Sequence, residues 1–145
     1  MLKVNRVTIG EAGGLSMPTN DPKIETVKGA ERREVAGVVM DIARVGSGRV
    51  KRVSYPAGFR WSKDMKGLVG TDHCMHAHVG FLISGHIEIR YADGCKVDFV
   101  APMPVEIDPG HDGAVLGGEP AVLIEFDFEG DTVEKFGLPA THKHD

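Results

Sequence analysis

The chain alternates between apolar and polar residues in short runs that glycine and proline interrupt. Residues 38–45 and 49–55 form two such runs, and Gly46-Ser47-Gly48 between them predicts a hairpin turn. Residues 86–91 alternate cleanly, and Asp93-Gly94 predicts a tight turn into a partner strand at residues 97–100. These paired runs are typical of antiparallel strands.

Further short runs at residues 105–107, 113–116 and 121–128 continue this pattern towards the C-terminus. The last run places Val122, Ile124, Phe126 and Phe128 on one face. About eight strands can be counted in all, at the spacing of a jelly roll. Long helix-period runs are missing, and the pattern predicts an all-β fold.

The run Val79 to Ile83 differs from the others because it is apolar at every position. A strand of this kind is covered on both faces. The cover can come from two layers of the same domain or from a partner subunit. This strand and a long N-terminal arm together predict a homodimer.

The N-terminal third is less regular. Residues 1–9 alternate weakly and predict an edge strand, whereas residues 11–34 are polar and broken by glycine and proline. A stretch of that length without evident structure is usually an arm or lid. The predicted organisation is an N-terminal strand and extended arm at residues 1–34, a β-barrel at 35–130, and a C-terminal turn and tail at 131–145.

Composition narrows the function classes. The chain has 145 residues and a net charge of -4, with no basic patch for nucleic acid or an anionic membrane. Its longest apolar runs are about five residues, far short of the roughly 20 that span a bilayer. The two cysteines, Cys74 and Cys95, form no CxxC motif and follow no secretory segment. Free thiols in a reducing cytoplasm are therefore expected.

Three histidines lie close together just before the apolar strand: His73, His76 and His78. Residues two apart on a strand point to the same face, so His76 and His78 can share one ion. Imidazole suits zinc, iron, copper and nickel, and the cluster alone leaves the choice among them open. The cluster predicts a transition-metal site.

Other potential ligands are interpreted differently. Cys74 is predicted to be a small buried apolar residue rather than a thiolate ligand. His86 lies on the charged face of its strand and is expected at the surface. His142 and His144 form a second His-x-His pair, but they lie in the tail, which is expected to be solvated.

The order of these features, from residue 50 to 128, resembles the cupin family. Glycine, a histidine pair, an apolar strand, glycine and a hairpin are followed by Asp108-Pro109-Gly110 and His111. The family motifs are G-x5-H-x-H-x3,4-E-x6-G and G-x5-P-x-G-x2-H-x3-N. The resemblance implies a double-stranded β-helix barrel, also called a jelly roll. It also implies a metal bound by two histidines and a glutamate from the first motif and a histidine from the second.

The first motif can be aligned from its opening glycine. Gly70 then precedes His76 and His78 at the family spacing, but the glutamate position falls at Leu82 or Ile83. This alignment keeps both histidines and lacks the carboxylate.

The motif can instead be aligned from its closing glycine, Gly85. His78 then takes the glutamate position, and His73 or Cys74 falls near the second histidine. Barrel geometry fixes a strand and its closing turn more tightly than the loop before it, which favours this alignment. The resemblance then implies a histidine-rich site without the usual carboxylate. Such a site favours zinc or nickel, with iron or manganese as alternatives.

The second motif is displaced as well, because His111 follows Gly110 directly and Gly113 takes the usual ligand position. His111 and residue 113 share strand parity, so His111 can still point inward. The candidate metal ligands are His73, His76, His78 and His111, with His73 and His76 competing for one place.

The leading functional hypothesis is a small metal-dependent cupin enzyme acting on a small molecule. No residue pattern names a proton carrier, and isomerase, oxygenase and hydrolase chemistry all remain open. The alternative is a non-catalytic barrel that binds a small molecule or a metal as a sensor or store. Four histidine ligands would fill the coordination sphere of the ion, whereas three would leave a position for water or substrate.

Overall fold

A computed structural model describes residues 25–144. Nine strands lie in this range: β1 (Glu31–Val35), β2 (Val38–Val45), β3 (Gly48–Tyr55), β4 (His78–Ser84), β5 (His86–Tyr91), β6 (Lys96–Val100), β7 (Met103–Ile107), β8 (His111–Leu116) and β9 (Ala121–Asp127). Three short helices accompany them: α1 (Trp61–Asp64), α2 (Lys66–Val69) and α3 (Thr132–Phe136). None of the helices between residues 25 and 144 is long and apolar enough to cross a bilayer.

The strands form two antiparallel sheets. The larger has the order β1-β2-β3-β9-β4-β7 and the smaller the order β6-β5-β8. The core lies between them, where inward side chains such as Val53, Leu82, Ile89 and Leu123 are almost fully buried. The predicted all-β fold is confirmed.

The larger sheet extends further towards the N-terminus than the sequence analysis predicts. Residues 31–34, assigned there to the irregular arm, belong to the edge strand β1. Most of β1 is exposed and charged, so it has no apolar face from which it could be predicted. The predicted strand at residues 1–9, and the arm as far as residue 24, lie outside the described residues.

Strand β9 presents its polar positions to the interior. Glu125 and Asp127 are each 2% exposed, whereas Phe126 on the opposite face is 45% exposed. The apolar face seen in the sequence is therefore the outer face of the sheet. Buried carboxylates need partners, and those of β9 have them in His78, Lys51 and Arg49.

Gly80 allows β4 and β9 to approach each other closely. A Cβ atom at this position would lie 1.8 Å from the carbonyl oxygen of Ile124. Gly80 pairs with Glu125 in the β4–β9 ladder, two residues after His78. The missing side chain therefore lets the Glu125 carboxylate reach the start of β4.

Candidate metal centre

A cavity of about 260 Å³ lies between the two sheets. Most of its wall is apolar and includes Trp61, Tyr55 and Leu123. Polar and titratable side chains in its wall come from β3, β4, β8, β9 and the segment before β4, and include Lys51, Cys74, His76, His78, His111 and Glu125. Such an apolar pocket with a few convergent polar groups is the usual form of a small-molecule site.

Backbone pairing brings Cys74 to His111. The Cys74 amide donates to the His111 carbonyl at 2.8 Å, and the His111 amide donates back at 3.2 Å. His111 begins β8 and is only 3% exposed, which agrees with the expected inward direction of its side chain. His78 begins β4 in the opposite sheet, and its ring lies 5.2 Å from that of His111.

Two groups of potential ligand atoms share His78. Cys74, His78 and His111 form one group, and His76, His78 and Glu125 form the other. Within each group, one donor atom per residue lies within 4.8 Å of the others. The structure thus places the predicted residues His76 and His111 each beside His78, in separate groups of potential ligands.

His73 belongs to neither group. The structure places it in the segment before β4, where its backbone carbonyl accepts a hydrogen bond from the Thr71 hydroxyl at 2.7 Å. His76 and His73 were rivals in the sequence analysis, and only His76 lines the cavity.

The Cys74, His78 and His111 group has the hydrogen bonds that metal-binding histidines usually have. Nδ1 of His111 lies 2.7 Å from the carbonyl oxygen of Asp108 and donates to it. Nδ1 of His78 contacts Oε1 of Glu125. In both rings Nδ1 is held by an oxygen acceptor, which leaves Nε2 to face a metal ion.

His76 is engaged differently. Its Nε2 lies 3.4 Å from Nζ of Lys51, which can only donate. Burial, together with the neighbouring charges of His78 and Lys51, lowers the pKa of His76 to about 4. His76 is therefore neutral near pH 7, with the Nε2 lone pair directed at the lysine.

The electrostatics of the first group favour a bound cation. Burial would lower the pKa of His78, but the Glu125 carboxylate and the Cys74 thiol outweigh it and raise the pKa. Burial would raise the pKa of Cys74, but hydrogen bonds to His111 and His78 outweigh it and lower the pKa to about 5. A protonated imidazole thus lies between two anionic groups, and a divalent ion would displace its proton. The donor set fits a metal.

A buried ion network stabilises the carboxylates beside this group. Lys51 is 6% exposed, and its Nζ lies 2.7 Å from Asp127 and 3.8 Å from Glu125. Arg49 adds a bidentate pair with Asp127, at 2.7 and 3.0 Å. Two cations thus offset two buried carboxylates, as burial of charge requires.

Two members of the site, Cys74 and Glu125, were not predicted as ligands or ligand partners from the sequence. Cys74 was treated as an apolar residue, but its thiol lies between two histidines and its pKa is lowered. The carboxylate that the motif comparison gave as lost is supplied at a different position by Glu125. The signal that could have revealed Glu125 is the polar parity of β9, where Glu125 and Asp127 alternate with apolar residues.

Comparisons with known proteins find similar solved structures, of which the Salinispora arenicola protein supports the fold. A Cupin 2 conserved barrel domain protein from Salinispora arenicola has a TM-score of 0.51 at 15% identity, covering 79% of this chain and 94% of its own. The hydroxypropylphosphonic acid epoxidase of S. wedmorenis, solved with fosfomycin, has a TM-score of 0.49 at 11% identity, covering 72% and 58%. The Cnp3 cupin domain of Schizosaccharomyces pombe has a TM-score of 0.48 at 12% identity, covering 75% and 76%.

No protein-family model matches the sequence, and no curated protein matches it. Likeness at 15% identity establishes the fold and carries no activity with it.

Proposed function

We propose, from the premise that this chain folds as a cupin barrel, that it is a metal-dependent enzyme acting on a small molecule. Cys74, His78 and His111 would hold a divalent transition metal ion. The observation that carries the proposal is a half-buried thiol between two imidazoles, each held through Nδ1 by an oxygen acceptor, beside an apolar cavity. Such an ion would polarise a substrate oxygen as a Lewis acid.

Zinc is the preferred metal. One thiolate and two imidazoles form a borderline-soft donor set that suits zinc best, with nickel and iron next and manganese least. The reason differs from the one given by the motif comparison, because the choice now rests on the thiolate rather than on a lost carboxylate.

Three protein donors favour an enzyme over a storage or sensor module. Catalytic zinc sites have three protein ligands and leave one position for water or substrate, whereas structural sites are closed by four. The cavity offers space of about 260 Å³ beside this position. Its apolar wall favours a substrate with one polar group to meet the ion and an apolar remainder.

Metal analysis of the untagged protein tests the site. We expect His78→Ala to lose one equivalent of bound zinc relative to the wild type, because His78 belongs to both groups. His86→Ala is the matched control, since His86 pairs with Asp98 at 2.9 Å outside the cavity. Equal zinc content in the wild type and His78→Ala, in folded protein, would contradict the proposal.

Cobalt substitution separates the enzyme from the storage module. Azide should change the visible spectrum of the cobalt form if one coordination position is exchangeable. A spectrum that does not respond to azide would indicate an ion without an exchangeable coordination position and would favour the non-catalytic alternative. The Leu68→Ser variant, changed in the exposed helix α2, should respond as the wild type does.

Glu125 should act as a positioning residue for His78. We expect Glu125→Gln to weaken zinc binding by about 10–100-fold, because loss of an outer partner of a ligating histidine has effects of that size. Competition with a chromophoric chelator measures the change. Glu106→Gln on the exposed face of β7 is the control, and equal affinities of both variants would refute the role.

We also propose a cytoplasmic location. Cys74 and Cys95 are both free thiols. Thiols persist in a reducing compartment, and the proposed metal site requires that Cys74 remain reduced.

A further inference from the structure

A second cluster of potential ligands lies outside the cavity. Asp93 and Cys95 belong to the turn between β5 and β6, and His142 and His144 belong to the C-terminal segment. One donor atom from each of the four lies within 4.8 Å of the others. None of the four lines the cavity between the sheets. The sequence analysis had treated the histidine pair as part of a solvated tail.

His142 is held in the orientation of a ligating histidine. Its ring stacks on Tyr91, with centroids 3.8 Å apart and planes 7° from parallel. Nδ1 lies 3.3 Å from a carboxylate oxygen of Asp108 and donates to it. Nε2 then carries the lone pair, and this atom is buried without a hydrogen-bond partner among the described residues. A carboxylate-oriented imidazole with an unpaired second nitrogen is the usual arrangement around a metal.

The other three donors each lie within 4.8 Å of a ring nitrogen of His142. Nε2 of His144 is 3.2 Å from Oδ2 of Asp93, and the rings of His142 and His144 meet edge to face at 4.7 Å. Oδ1 of Asp93 accepts a hydrogen bond from the Cys95 amide at 2.8 Å, which fixes the carboxylate relative to the thiol. A hairpin turn thus presents one carboxylate and one thiol towards two imidazoles.

We propose that Asp93, Cys95, His142 and His144 bind one zinc ion that fastens the C-terminal segment to the β5–β6 turn. Thiolate, imidazole and carboxylate are all zinc ligands, and bonds of 2.0–2.3 Å separate tetrahedral donors by roughly 3.3–3.8 Å. The donor atoms lie within 4.8 Å of one another, so the cluster needs to contract by at most about 1.5 Å to reach that geometry. The charges of a thiolate and a carboxylate balance those of the ion.

Four protein donors make this site closed, in contrast to the three donors in the cavity. A closed tetrahedral site is structural. Its role is therefore to order residues 139–144 against Tyr91 and Asp108, and it needs no substrate. The proposal is independent of the function assigned to the cavity, since the two donor sets share no residue.

Cobalt titration of the full-length Cys74→Ser variant tests the proposal. Cys95 is then the only thiol in the chain, because the sequence has two cysteines. We expect a near-ultraviolet thiolate-to-cobalt band that saturates at about one equivalent. Adding His142→Ala or His144→Ala should weaken this binding by more than about 100-fold, beyond the effect of losing an outer partner. His86→Ala in the same background should leave it unchanged.

Two outcomes of the cobalt titration would contradict the proposed zinc site. One is the absence of a thiolate band in folded Cys74→Ser protein at millimolar cobalt. The other is a thiolate-to-cobalt band that shows an unchanged affinity for cobalt in both the His142→Ala and the His144→Ala variant. A second readout does not depend on the thiol: zinc should slow tryptic cleavage after Lys143, which lies between the two histidines. Equal cleavage rates with and without zinc would also refute the proposal.

Discussion

Asp41 shows how a single residue joins the N-terminal part of the described chain to the barrel. It lies on the outer face of β2 but is only 2% exposed. Its carboxylate accepts hydrogen bonds from Arg32 at 2.8 Å, from Arg52 at 2.6 Å and from the Val27 amide at 3.2 Å. These bonds connect residue 27, strand β1 and strand β3 to the same side chain on β2.

The stability that Asp41 provides should depend on pH. Hydrogen bonding with Arg32 lowers the pKa of Asp41 from 3.8 to about 2, against the opposing effect of burial. A carboxyl group with a lowered pKa contributes stability that is fully present above pH 3.8 and is lost as the pH falls through about 2. We expect Asp41→Asn to cost about 3 kcal/mol at pH 7, as when one partner of a buried ion pair is removed.

Urea unfolding at a series of pH values measures this effect. The difference in unfolding free energy between wild type and Asp41→Asn should be constant above pH 3.8 and should decrease as the pH falls towards 2. Asp72→Asn provides the control, because Asp72 is 91% exposed in its pair with Lys66. A difference that stays the same at pH 3 and pH 7 would contradict the assignment.

Individual site residues were predictable where one strand decides their direction. His76 and His78 are two residues apart where the chain enters β4, and His111 has the inward parity of β8, so all three were among the predicted candidates. Cys74 and Glu125 enter the site through pairing with distant segments, Cys74 with His111 and Glu125 with Gly80. Pairing between distant segments does not follow from the alternation of a single strand.

At the scale of elements, apolar alternation predicted the strands from β2 to β9 but not the edge strand β1. Between β3 and β4 the structure forms α1 and α2, which the apolar pattern does not predict. Each helix has four residues, which is too short for a helical period to be recognised. Trp61 secures this segment because its side chain is buried in the core at 7% exposure.

The close approach of β4 and β9 gives a sharp prediction. A methyl group at Gly80 would overlap the Ile124 carbonyl at 1.8 Å, and backbone cannot move aside as a side chain can. We expect Gly80→Ala to lower the free energy of unfolding by more than about 3 kcal/mol. It should also weaken zinc binding in the cavity, since Glu125 would be displaced from His78.

Thermal unfolding and chelator competition measure the two effects. Gly67→Ala is the matched control, because Gly67 lies in α2 with no atom within 4 Å of an added Cβ. That variant should be as stable as the wild type or slightly more stable. A Gly80→Ala protein that unfolds at the wild-type temperature would disprove the steric argument.

For the whole molecule, the outer face of the larger sheet bears on the predicted homodimer. The outer apolar strip, formed by Phe81, Ile83 and Phe126, lies on β4 and β9, and each side chain is 43–45% exposed. The sequence analysis expected β4 to be covered on both faces. Leu82 is fully buried inside, whereas the side chains of the strip remain partly exposed on the outside.

We therefore propose that a second copy of the chain packs on the outer apolar strip. Sedimentation velocity at micromolar concentration should give twice the 15.6 kDa of one chain. Phe81→Ser removes about 2 kcal/mol of apolar burial per copy, which raises the dimer Kd roughly a thousandfold when both copies lose it. Leu68→Ser, at an exposed position in α2, should remain dimeric. A wild-type mass of one chain would contradict the proposal.

Trp61 gives the protein an optical reporter of its own cavity. It is the only tryptophan in the chain, and it lines the cavity that also contains His78 and His111. All indole fluorescence therefore arises from one buried side chain beside the proposed metal centre. A small molecule entering the cavity should shift or quench this emission, so candidate ligands can be screened on the unlabelled wild-type protein.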